Sequence, residues 1–315
     1  MGLPSRLLLT LLAIPVLNAD VTVRYKMEIK VNPSLPAQMA QAMQGTSASL
    51  PKESSMQFKS GKGYSSAGLN TLSDFAKQEI TVLDPAGKKY GSIQFDKFGD
   101  EIAAGMPQMP EQAKAAMAAL KTHVESKTTG RTATIQGIEA EEHQIEMTVD
   151  GMPGTNMPEG PMMRMVMHIW IAKTSEIMRV PAVRELAGYH LFTASTMNPA
   201  AAIQKAFMQM PGLGGAMAEM VKGLQSSTQV ILRMQVEMFM PMVAAMMKQA
   251  PAGTDAPGTA IDADAPFMEM NQEAAEVSTA SIADSVFQIP EGYKSVAVSE
   301  ILKDINARTK VPAKQ

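Results

Sequence analysis

The sequence contains no cysteine. That excludes disulfides, thiolate metal sites and thiol nucleophiles. Aromatic residues make up only 5% of it, with a single tryptophan, so most of the apolar share comes from elsewhere. Neither sign of charge is concentrated: 28 Lys and Arg stand against 31 Asp and Glu, a formal net charge of −3. Mixed charge without basic runs gives no electrostatic footprint for nucleic acid or an anionic membrane surface. Beyond the first residues no window is apolar for long enough to span a bilayer as a helix. Chemical motifs are scarce too. The four histidines, His123, His143, His168 and His190, are never four residues apart, so no His-Glu-x-x-His site is formed. GKGYSSAG approaches a serine elbow in composition only, and PGLGGAM lacks the third glycine of a dinucleotide fingerprint. Asp262 and Asp264 lack the glycine and distal glutamate of a calcium loop. Glu139, Glu141 and Glu142 gather around a turn, with no neighbour that marks a general acid. The sequence reads as a non-enzyme without a cofactor.

Methionine fills the gap: 29 of 315 residues. Its unbranched, polarizable side chain packs irregular spaces and recurs where varied apolar partners are bound. The first residues, MGLPSRLLLTLLAIPVLNAD, have one positive charge, a short apolar run and a small residue at Ala19. This is the layout of a secretory signal peptide over residues 1–19, with cleavage near Ala19. The expectation is an exported protein, periplasmic or extracellular, held together by its core alone.

Asp20 to Val31 alternates strictly. Val21, Val23, Tyr25, Met27, Ile29 and Val31 share one side, and charged or polar residues share the other. Such a strand has one buried and one wet face, which suits an antiparallel sheet. Further strands are expected around a turn at Ser60–Gly63, as a hairpin through Asp84-Pro85-Ala86-Gly87, on either side of turns at Gly130 and Gly137, and over STQVILRMQVEMFM and PFMEMNQEAAEVS. Helices are expected from Pro36 to Gly45, after Pro110, from Arg179 to Tyr189, from Asn198 to Leu224, over PMVAAMMKQA, and at Val298–Ala307. Residues 251–266, rich in Pro, Gly, Ala and Asp, read as a flexible loop. The outline is a single domain over 20–297 with a C-terminal helix and tail over 298–315. It is α+β: about eight to ten strands in one curved antiparallel sheet, with Met-rich helices on its concave face.

The segment MMRMVMHIWIA is the densest cluster. Met163, Met165 and Met167 fall on one side of a strand with Ile169 and Ile171; Arg164, His168 and Trp170 fall on the other. With Val230, Leu232, Met234 and Val236 of a second strand, and Met217 and Met220 of a helix, they make up the candidate lining of an apolar cavity. Thioethers also suit Cu(I), so Met152, Met157, Met162 and His168 form an alternative soft-metal set.

Several segments resemble a known group. These are the long first strand, TTGRTATIQGIEAEEHQIEM, HIWIAK, and above all VFQIPEGYKSV near the C-terminus. Together they are similar to the exported bacterial proteins grouped as domain of unknown function 4412, and more distantly to outer-membrane lipoprotein carriers. The resemblance covers about residues 20–295. It implies a curved half-barrel whose apolar concave face is plugged by helices, and it brings no catalytic residues. The methionine content and the long segment from Asn198 to Leu224 depart from the group. The resulting expectation is a carrier or sensor of an apolar molecule such as a lipid or acyl chain. The alternatives are a soft-metal binder and a structural or interaction module with an envelope partner protein.

Overall fold

The computed structural model of the chain describes residues 20–35, 40–41, 43, 51–105, 120–150, 161–196, 230–249, 262 and 264–309. Within them twelve strands build one open, curved sheet. β1 (Val21–Val31) lies in the middle. β2 (Glu53–Lys59), β3 (Lys62–Ser65), β4 (Asn70–Asp74), β5 (Glu79–Asp84) and β6 (Lys89–Gln94) step outward on one side. The chain then crosses to the opposite edge. There β7 (Thr122–Ile135), β8 (Ile138–Asp150), β9 (Pro161–Ala172), β10 (Ile231–Phe239) and β11 (Met268–Ser278) step back inward until β11 pairs with β1. All these pairings are antiparallel; only the two-residue β12 (Lys294–Ser295) joins β6 in parallel.

Local chemistry sets the turns. Ser60-Gly61 and Gln136-Gly137 both adopt positive φ at successive residues, the backbone that a tight two-residue hairpin requires. Gly130, expected to end a strand, instead sits inside β7 with φ +76. The register of β7 against β8 slips between Thr128 and Thr132, so the glycine marks a bulge rather than a turn. A second irregularity separates Ile231 from Arg233 where β10 meets β9.

Five helices are described, along with a 3-10 turn at Asp284–Phe287. α1 (Phe95–Gly105) was not expected, and β4 likewise. α2 (Thr174–Arg179) and α3 (Pro181–Thr196) replace the single short helix anticipated there. Pro181 disfavours helical geometry at the residue before it, so Val180 is extended and α2 stops. The same proline is well placed as the first residue of α3. α3 then lays Val183, Leu186, Ala187 and Tyr189 against Val21, Val23 and Tyr25 of β1 and Ala274 of β11, forming the main core. α4 (Pro241–Gln249) contacts β9. α5 (Val298–Thr309) packs Val298, Ile301 and Leu302 on Val82, with Phe98 and Ile102 of α1 closing the cluster. The helix expected at Pro36–Gly45 is described only at Ala40, Gln41 and Met43, which are helical. The signal peptide, the helix after Pro110, the Met-rich stretch from Asn198 to Leu224 and most of the loop at 251–266 lie outside the described residues.

Polar groups tie α5 to the β5–β6 hairpin. The Lys89 ammonium donates to Asp304 at 2.7 Å and Glu300 at 2.8 Å, and these bonds hold it well above the usual lysine range. Arg308 reaches the buried Asp84 at 2.7 Å. Gly91 is the steric condition for this docking. A Cβ there would stand 2.8 Å from the Val296 carbonyl oxygen and 3.0 Å from the Val298 nitrogen. Both are backbone atoms, so the hairpin and the incoming chain must separate. Gly91→Ala should therefore cost about 1–3 kcal/mol, the usual penalty of overpacking. The expected signature is loss of amide-exchange protection in α5 with β1 and β11 unchanged. Protection lost uniformly, or nowhere, would contradict the assignment.

Candidate functional site

The methionine cluster lies on β9, between β8 and β10. Alternation puts Met163, Met165, Met167, Ile169 and Ile171 on one side of β9. Register then extends that side across the sheet. One row runs Ile145, Met167, Val236, Met270, Ile29, and the next runs Met147, Met165, Met238, Met268, Val31. Four of the five members of the second row are methionines. Ile145, Met167, Ile169, Ile171 and Val236 are buried; Met165, Met234, Met238 and Met270 pack against them half-buried. Met163 continues the surface toward Met147 and Val149.

Five of the nine candidate residues thus come together: Met163, Met165, Met167, Met234 and Val236. Val230 and Leu232 do not. The irregularity at Leu232 carries them into the main core with Trp170, Ala172 and the residues of α3. An extra residue in one strand reverses the face of everything before it, and unbroken alternation gives no hint of that. Met217 and Met220 lie outside the described residues. So do the Met-rich helices placed there; the described helix packed on β1 and β11, α3, contains no methionine.

The soft-metal set is divided. Met162 packs with Met147 and Val149. His168 points to the other side of β9, where its Nδ1 lies 2.8 Å from Glu142 Oε1. Met152 and Met157 lie outside the described residues. Among those described, no three His, Asp or Glu side chains could together hold a metal ion.

The opposite side of β9 holds a feature that sequence reasoning passed over. Glu142, on β8, is fully buried. Arg131 grips it with both Nε and Nη2, and the Thr129 hydroxyl donates to the same carboxylate. An ionised carboxylate only accepts, so His168 carries its proton on Nδ1. Burial alone would push the Glu142 carboxyl up. The hydrogen bonds from Thr129, Arg131 and His168, with the Arg131 charge, outweigh it and hold the group below the usual carboxylate range. Thr129 and Arg131 flank Gly130, so the carboxylate pins the bulge of β7. A glycine inside an alternating segment, followed at once by arginine, is the signal that could have exposed it. Next to it the Arg233 guanidinium covers the Trp170 ring at 5.1 Å and pairs with Glu273 at 2.6 Å. On this side of β9 charge pairs flank the main core at Trp170; the methionines lie on the other side.

No protein family and no curated protein matches the chain. Among solved structures it is similar to the lipoprotein LppX of Mycobacterium tuberculosis. That match covers 84% of this chain and 89% of LppX, at 8% identity and a TM-score of 0.26. A likeness so distant carries no argument about a ligand, which rests on the residues alone. No described helix is long and apolar enough to cross a membrane.

Proposed function

We propose that this chain is an exported, non-enzymatic binding protein that holds an apolar ligand, a lipid or acyl chain, along the methionine rows of β8–β11. One observation carries the reading: half-buried methionines from three adjacent strands, β9, β10 and β11, form a continuous apolar surface across a curved sheet. Half-buried Met side chains keep rotamer freedom and can remould around a chain of varied shape. The reading draws as well on the signal-peptide layout of residues 1–19. The resemblance to domain of unknown function 4412 belongs to it too, and its most specific segment forms the 3-10 turn and the approach to β12.

The test uses facing residues. Met165 of β9 and Met238 of β10 are direct cross-strand partners. Palmitate and a phospholipid extract are offered to the purified protein, followed by native mass spectrometry and thermal shift. Binding should be saturable. The double substitution Met165→Asp and Met238→Asp should weaken it at least tenfold, about 1.4 kcal/mol. Met165→Leu with Met238→Leu should keep it. The leucine pair keeps the hydrocarbon and removes the two sulfurs, so retained binding shows that these side chains act as apolar surface. Protein that stays bare, with no shift on adding either lipid, would sink the proposal.

A further inference from the structure

A cavity of about 760 Å³ lies on the polar side of the sheet, away from the methionine rows. Its floor is the outward side of β1–β4. Its far wall is a strap, residues 282–293, fixed at both ends. At the start, the Ile282 amide donates to Asp20 at 2.6 Å, and Lys59 donates to the Ile282 carbonyl at 2.6 Å and pairs with Asp284 at 2.9 Å. At the far end, the Lys294 and Val296 amides donate to the Lys88 and Tyr90 carbonyls, both at 2.9 Å. The groove is thus held open by the fold rather than by a mobile flap. Its volume is that of small-molecule sites, about 300–1,000 Å³.

Its lining limits the ligand. Two cations, Arg24 and Lys26, are matched by two carboxylates, Glu53 and Glu276. Arg24 and Glu276 are paired at 3.3 Å, and Lys26 stands opposite Glu53 in the register. No net charge remains to select an ion. The other polar groups are hydroxyls and amides, which both donate and accept. Some are satisfied internally: the Ser55 amide donates to the Ser66 hydroxyl at 2.8 Å. The Gln57 side chain, on the floor, and the Gln288 side chain, on the strap, have no partner among the described residues. Tyr64 on the floor and Tyr293 on the strap add aromatic surface with polar tips. Hydroxyls and amides beside two tyrosine rings, without net charge, match a molecule with many hydroxyls and apolar ring faces.

We infer that this groove is a binding site for a neutral carbohydrate, held between Tyr64 and Tyr293 and hydrogen-bonded by Gln57 and Gln288. It is independent of the apolar reading, being built from other residues on the other side of the sheet. The full-length protein would be titrated with maltotriose and triacetylchitotriose, and with the anionic sialyllactose, by calorimetry and ligand-observed NMR. Expected is saturable binding of at least one neutral trisaccharide and none of the anionic one. Tyr293→Ala and Gln57→Ala should each weaken it tenfold or more, with the thermal midpoint of Gln57→Ala unchanged. The Met165→Leu, Met238→Leu pair should leave it intact. No saturable binding of either neutral trisaccharide, preference for the anionic sugar, or equal binding by both groove variants would overturn the inference. Lipid binding is lost or kept separately, so the two proposals fail separately.

Discussion

Replacing Glu142 by alanine is expected to lower folding stability by about 3 kcal/mol, read as a fall in the urea midpoint at unchanged m-value. The carboxylate is fully buried and bonded by Thr129, Arg131 and His168. Removing one partner of a buried charge pair ordinarily costs about 3–5 kcal/mol, because the survivor is left uncompensated. Here the figure belongs at the low end. The Arg131 side chain is 61% exposed and can turn back to water, whereas His168, at 14%, cannot. The damage should concentrate in the bulge. Without the carboxylate nothing holds Thr129 and Arg131 in their slipped register, and amide exchange at 128–132 should rise before the rest of β7 opens.

The same group makes stability depend on pH. The folded Glu142 carboxyl titrates below its unfolded value, so near that range the unfolded chain binds more protons and stability rises with pH. The contribution is complete above the unfolded carboxylate pKa of about 4.3 and is lost as pH falls through the lower folded value. Urea midpoints measured stepwise through the acid range should fall more steeply for the wild type than for Glu142→Gln. Parallel curves would show that Glu142 is not the group responsible.

Several elements could be read directly because their cause is local. The alternation of β1, the hairpin at Gln136-Gly137 and the methionine side of β9 depend on neighbours one or two residues away. What escaped depends on distance or on a single residue. β4, Asn-Thr-Leu-Ser-Asp, has one apolar residue and is a strand only because β3 and β5 flank it. α1 includes two glycines and gains its stability from α5, some 200 residues later. The pairing of β1 with β11 joins distant segments, and the alternation of each says nothing about which other strand it meets. The candidate site divides likewise. Met163, Met165, Met167, Met234 and Val236 follow from alternation in two strands. Val230 and Leu232 were misassigned because one extra residue in β10 leaves the amino-acid pattern intact while moving the side chains.

Tyr189 carries the largest single contribution we expect, and Tyr189→Ala should cost about 4 kcal/mol. Its side chain is fully buried on α3. The ring stacks on Phe58 of β2, centroids 4.6 Å apart, and lies 6.4 Å from Phe75, which in turn meets Phe95 at 6.0 Å. This chain of rings joins α3 to β2, to the turn after β4 and to the start of α1. In a sequence with 5% aromatics, they are clustered where helix meets sheet. Gly63 makes room for it, since a Cβ there would stand 3.2 Å from the Phe58 ring. Deleting a buried aromatic ring costs about 3–5 kcal/mol through lost transfer energy and the cavity left behind. The stacked pair adds about 0.5–1.5 kcal/mol beyond area. Tyr189→Phe keeps the ring, so its urea midpoint should stay within about 1 kcal/mol of the wild type. Equal losses in the two variants would show that the hydroxyl, not the ring, holds α3. The methionine rows of β8–β11 include none of these rings. Tyr189→Ala protein that is still folded should therefore bind palmitate as before, with stability and binding failing through different substitutions.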